Sequence, residues 1–147
     1  MLENQDYVIK PEGYDIPFNA TRIHGISTKM ANEEGRDLSE VLEEFKAVLQ
    51  KAKVVAGHNI DFDYNIVGAE FYRKDMENVL EKIPSADTME LGTDFCQLGG
   101  GKNGRYKSPK LVELYEKLYG EQFDEAHNAA ADVNATAQVF FEMMRND

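Results

Sequence analysis

The chain has 147 residues, 42% hydrophobic and 10% aromatic, which suits one packed domain spanning residues 1–147 rather than two. Sixteen basic residues against twenty-seven acidic ones give a net charge of −11, which excludes a broad basic surface for duplex DNA, because such affinity comes from neutralising phosphates. A lone cysteine, Cys96, excludes an intramolecular disulfide scaffold, and the sequence shows neither a membrane span of ~18 apolar residues nor a secretory leader. A reducing cytoplasm is the expected compartment. By itself the acidity is the ordinary dispersing surface of a soluble protein. It also leaves room for a small site where carboxylates collect divalent cations that accept phosphate.

Asp6 to Pro11 reads as a short strand stopped by proline, and Gly13 to Asn19 as loop. Asn19 to Ser27 follows as a turn or helical stub, leading to a polar linker from Lys29 to Arg36. The clearest helix comes next. Leu38, Val41, Leu42, Phe45, Val48 and Leu49 recur at three- and four-residue steps, with Asp37 placed to cap them and Glu40 to reach back to the cap. Val54 to Gly57 is short, apolar and β-branched at its start, as in a strand buried on both faces. His58-Asn59 turns the chain into a helix over Asp61 to Tyr72, and Asp75 to Lys82 reads as a shorter one stopped by Pro84. Ala86 to Leu91 reads as another strand, Gln97 to Ser108 as a glycine-rich basic loop, Leu111 to Gly120 as a helix behind Pro109, and Asn128 to Met144 as an alanine-rich helix. Strands alternating with helices imply an α/β layered domain. Two or three strands are few for its sheet, so a strand is expected to be missing from the front.

Two segments carry the chemistry. In the first, Val54 to Asp63, a buried strand opens into a helix with an early carboxylate, and ligands of open α/β sheets collect at the carboxyl ends of strands. Asp63 is placed to reach that crevice if its helix packs through Phe62 and Ile66. Taken alone, Asp61 or Asp63 reads better as a source of negative charge for a helix N-terminus. In the second, His127 to Ala137, alanines at 129, 130, 131, 135 and 137 allow close helix packing around Asp132, a carboxylate that burial would pair with a cation. His127 stands five residues earlier, at the helix start. Taken alone, the segment reads as well as a surface helix with a capping histidine and a solvated aspartate.

Together these segments resemble a family. Asn59-Ile60-Asp61-Phe62-Asp63 looks like the second motif, and His127-Asn128-Ala129-Ala130-Ala131-Asp132 like the third, of the DEDDh 3′–5′ exonucleases. That superfamily includes the polymerase III epsilon proofreading subunit and ribonuclease T. Thr21 to Ser27 resembles its His-Gly segment, and Ala86 to Leu91 the strand after the second motif; all four occur in the family's order, over roughly Tyr7 to Met144. The resemblance implies a ribonuclease H-like layered domain, with a central mixed sheet flanked by helices. It also implies phosphodiester hydrolysis at a nucleic-acid 3′ end, DNA being the expected substrate, with two divalent cations, Mg or Mn. By resemblance Asp132 and Asp63 hold the cations and His127 takes the proton of the attacking water. His24 touches the terminal nucleotide, and Asn59, counted with the substrate-binding residues, orients the loop before Asp63. Single-stranded nucleic acid is the implied partner, and a DNA polymerase a further one. Lys102, Arg105, Tyr106 and Lys107 either contact phosphates and bases or form a solvated connector.

The sequence departs from the family at one point. The first motif, Asp-x-Glu on the opening strand, has no counterpart in place, for the only such triplet is Asp75-Met76-Glu77, after the second motif. The expectation is therefore an exonuclease whose chain as written has little or no activity, either because a strand is missing from the front or because the metal site is lost. The alternative is an inactive nucleic-acid-binding or polymerase-associated module on the same fold. With three histidines and one cysteine, a structural zinc site is not expected.

Overall fold

A computed structural model describes residues 3–123 and 129–146. Its centre is a parallel pair of strands, β1 (Val55–Gly57) and β2 (Ser85–Asp87), in the register Val55↔Ser85, Ala56↔Ala86, Gly57↔Asp87. Three helices precede them: α1 (Phe18–His24), α2 (Thr28–Glu34) and α3 (Leu38–Leu49). Helix α4 (Ile60–Arg73) crosses from β1 to β2, as a parallel pair requires. After β2 come α5 (Thr88–Cys96), α6 (Leu111–Tyr119) and α7 (Ala129–Asn146). The α/β layering expected from the sequence holds, and among the described residues the sheet is these two parallel strands.

Two apolar clusters flank the strands. One joins Leu38, Leu42 and Leu49 of α3 to Phe71 of α4 and to Val79 and Leu80, with Val55, Tyr64 and Val67 packed against it. The other joins Cys96, Leu114 and Val139, which brings α5, α6 and α7 together. At Gly92 a β-carbon would come within 2.7 Å of Leu114, so glycine is what lets α5 lie against α6. Cys96 ends α5 and is buried, rather than lying in a loop, and burial pushes its thiol up.

Several boundaries differ from expectation, each for a local reason. Residues 6–11 form a single parallel bridge, Ile9 with Arg36, because their neighbour is not itself a strand. The polar linker is helix α2, capped by Ser27, whose hydroxyl accepts from Met30 N at 3.1 Å. Asp37 caps α3 as expected, accepting from Ser39 N at 2.9 Å, but that helix buries only Leu38, Leu42 and Leu49 and leaves Val48 60% exposed. Asp75 adopts a left-handed conformation (φ 52°) that ends α4's neighbourhood in a turn, so only Val79–Lys82 remains helical, as a 3-10 turn. The expected strand Ala86 to Leu91 splits at Asp87, where β2 stops and α5 starts. Strand β1 is not buried on both faces: Ala56 is exposed.

Candidate active site

The carboxyl ends of β1 and β2 are tied together by one side chain. Asp87 Oδ1 accepts from Asn59 N at 2.9 Å and from Met89 N at 2.8 Å, while its Oδ2 accepts from Ile60 N at 3.2 Å. The N-cap and first residue of α4 and the first turn of α5 thus share one carboxylate. Three charge-assisted bonds of this kind also offset the exposed N–H groups of two helix starts. Asn59 turns the chain here in the left-handed region (φ 65°, ψ 51°), which asparagine tolerates better than most residues. Its side chain makes no cap bond, so its part in the site is a backbone one, orienting the turn before Asp63.

A second tie lies beside the first. His58 Nε2 stands 2.9 Å from Pro109 O, and Nδ1 stands 2.9 Å from the fully buried Thr88 Oγ1, which is itself 3.1 Å from Gly57 O. A carbonyl only accepts, so Nε2 carries a hydrogen. In the neutral ring the Thr88 hydroxyl donates to Nδ1; in the protonated ring Nδ1 donates to Thr88, whose hydrogen turns to Gly57 O. Burial lowers the His58 pKa below its ordinary 6.5, outweighing the Pro109 carbonyl and the Asp87 charge. The folded state therefore favours the neutral ring. Its stabilising contribution is present above 6.5 and is lost as pH falls through the depressed folded value. Thermal unfolding followed by circular dichroism should show the midpoint falling on acidification below about pH 6.5, and His58→Gln should flatten that segment of the profile.

Asp63 lies in the first turn of α4. It is exposed, yet partial desolvation raises its pKa from the ordinary value, its own backbone N–H opposes the rise, and the charge of Asp87 adds to it. No cation is paired with it among the described residues. The helix does not pack through Phe62 and Ile66, which are 61% and 50% exposed; it packs through Ile60, Tyr64, Val67 and Phe71. Asp132 lies in the first turn of α7, a helix that packs on β1, α5 and α6 and buries Ala135 and Val139. Asp132 itself is exposed, not enclosed by the alanines as expected: Ala135 joins the buried stripe, while Asp132 lies on the solvent side of the helix. His24, at the exposed C-terminus of α1, accepts from Ile26 N through Nδ1 at 3.1 Å and has no hydrogen bond to Asp63 or Asp132. His127 lies outside the described residues.

These groups test the fit of a divalent cation. A carboxyl without a cationic partner among the described residues suits one, and Asp132 starts a helix that packs on the same strand that leads to Asp63. Among the described residues, however, no three His, Cys, Asp or Glu side chains form a ligand cluster. Asp63 and Asp132, both exposed, belong to no such cluster, so the described residues do not by themselves provide for a pair of cations. Asp87 already accepts three backbone N–H bonds, two on Oδ1 and one on Oδ2, which makes it the clamp of this site. Sequence reasoning missed it and His58. The only signal was an aspartate in the middle of an expected strand, directly before a threonine.

No helix among the described residues is long and apolar enough to cross a membrane. The exonuclease family model (RNase_T) matches residues 3–140. A DNA polymerase III of the PolC type from Mycoplasmopsis pulmonis is 30% identical over 147 residues, covering 98% of this chain and 9% of that protein. The PolC-type enzyme of Latilactobacillus sakei is 31% identical over 140 residues, again 9% of its length, and that of Streptococcus pneumoniae is 27% identical over 136 residues, 8% of its length. The chain thus spans about a tenth of the curated relatives it matches. With most of its length matched by one family and its motifs in that family's order, the chain belongs to the exonucleases of the DEDDh type.

Proposed function

We propose that this chain acts at the 3′ ends of nucleic-acid strands, as the exonuclease portion of a DNA-processing enzyme with 3′–5′ polarity. The observation that carries the reading is the placement of Asp63, exposed and without a cationic partner among the described residues, one turn beyond the clamped ends of two parallel strands. In open α/β sheets that is where ligands bind. Exonucleases of this family generally use divalent metals, and such a cation lowers the pKa of its water and stabilises charge on the phosphate. Asp63 and Asp132 are the residues of this chain that would hold it. His127 is the proton acceptor, a role suited to a side chain that titrates near neutrality. His24 contacts the terminal nucleotide, and Asn59 shapes the turn that presents Asp63. Because the relatives carry this segment within a DNA polymerase, a polymerase is the proposed protein partner.

In a second reading the chain binds 3′ ends without hydrolysing them; among the described residues no three ligating side chains form a metal cluster. One assay separates the two. A single-stranded DNA labelled at its 5′ end is incubated with manganese and followed by gel. Slow shortening from the 3′ end, lost in Asp132→Ala, is the expected result. Binding with no shortening supports the second reading, and cleavage from the 5′ end or within the strand contradicts both.

A further inference from the structure

The charge of this protein is distributed unevenly. Residues 97–112 contain Lys102, Arg105, Lys107 and Lys110 and no acidic residue, while all twenty-seven acids and the other twelve of the sixteen basic residues lie elsewhere. This stretch is a shaped element. Lys107 N donates to Leu98 O at 2.9 Å in an antiparallel bridge, and Arg105 N donates to Lys102 O at 3.1 Å across the tip. At Gly101 any side chain would overlap the Arg105 carbonyl oxygen, and Asn103 and Gly104 both take positive φ, 55° and 73°. The closed tip presents Lys102, Arg105 and Tyr106 to solvent. Lys107 is occupied by Glu113 at 3.1 Å, whereas Lys102 and Arg105 have no carboxylate partner among the described residues.

The base of this loop is fixed next to the candidate site. Pro109, fully buried, gives its carbonyl to His58 Nε2 at 2.9 Å, one residue before the Asn59 turn and five before Asp63. A polyanion approaching an acidic surface is repelled except where local cations offset the field. An exposed tyrosine next to Arg105 also supplies a stacking face for a base, whatever its identity.

We propose that the 98–107 loop is a second subsite, which grips the phosphates of a single strand whose 3′ end occupies the site at the strand ends. This rests on the function proposed above for that site. It assigns Lys102 and Arg105 to phosphates, Tyr106 to a base, and leaves Lys107 as a brace held by Glu113.

The test is fluorescence anisotropy of a 5′-labelled oligothymidylate on the full chain, without divalent metal, over a range of salt concentrations. Lys102→Ala/Arg105→Ala is compared with Lys51→Ala/Lys53→Ala, which changes net charge equally at exposed positions elsewhere. The loop pair should weaken binding by about tenfold and lower the slope of log affinity against log salt by about 1.4, near 0.7 per lost phosphate contact on single strands. The control pair should change the slope little, and Tyr106→Ala should weaken binding without changing it. Equal losses in the two pairs, or an unchanged slope in the loop pair with native circular dichroism, would overturn the proposal. Because no metal is present, this outcome is independent of hydrolysis; failure of the nuclease reading shows instead in the metal-dependent assay.

Discussion

Asp87→Ala is expected to destabilise the fold by about 3 kcal/mol, measured by urea unfolding, because it removes one acceptor from three backbone N–H groups. Each hydrogen bond to a charged group is worth about 1.5–3 kcal/mol, and losing a helix cap alone costs about 0.5–2 kcal/mol. The three contributions are not independent, since all hang on one side chain, so their sum is an upper bound. Asp87→Asn keeps an acceptor for the α5 cap but loses the charge and the second oxygen, and should fall between wild type and alanine. The same substitution should lower the raised Asp63 pKa, because it removes the repulsive charge of Asp87 while leaving the desolvation. Carboxyl-carbon NMR titration reads that change directly. A loss under 1 kcal/mol in Asp87→Ala would mean that the β1–α4 and β2–α5 junctions are held by something other than this clamp.

The parts of the fold legible in the sequence were those in which one segment decides its own state. Helix α3 announces itself by its apolar spacing and its Asp37 cap, and α6 by its apolar spacing between Pro109 and the left-handed Gly120. Helix α2 gave no such signal. It buries only Ala31, and its start is set by the Ser27 hydroxyl, while the absence of room for a side chain at Gly35 reflects the passing backbone of Lys10. Periodicity also says which side of a helix is apolar, not what covers it. Phe62 and Ile66 line up with the apolar members of α4 yet face solvent, as does Val48 of α3.

The site was half legible for the same reason. Asp63 and Asp132 could be picked out as carboxylates near helix starts, and the order of motifs pointed to the family. The ties at the start of α4, ahead of Asp63, are long-range: Asp87 reaches back 28 residues to Asn59, and His58 reaches forward 51 residues to Pro109. No local pattern encodes such contacts. A buried threonine next to an aspartate at a strand end is the residue-level trace they leave.

The central claim is that the first turns of α4 and α7 share one cation site at the carboxyl end of β1. Adding manganese to isotope-labelled protein tests it most directly, because the paramagnetic ion broadens amide resonances only near where it binds. The resonances of residues 58–63 and 129–133 should broaden together at the lowest additions, and both sets should be spared in Asp63→Ala and in Asp132→Ala. Broadening of one segment without the other, or of acidic surface elsewhere first, would contradict the account.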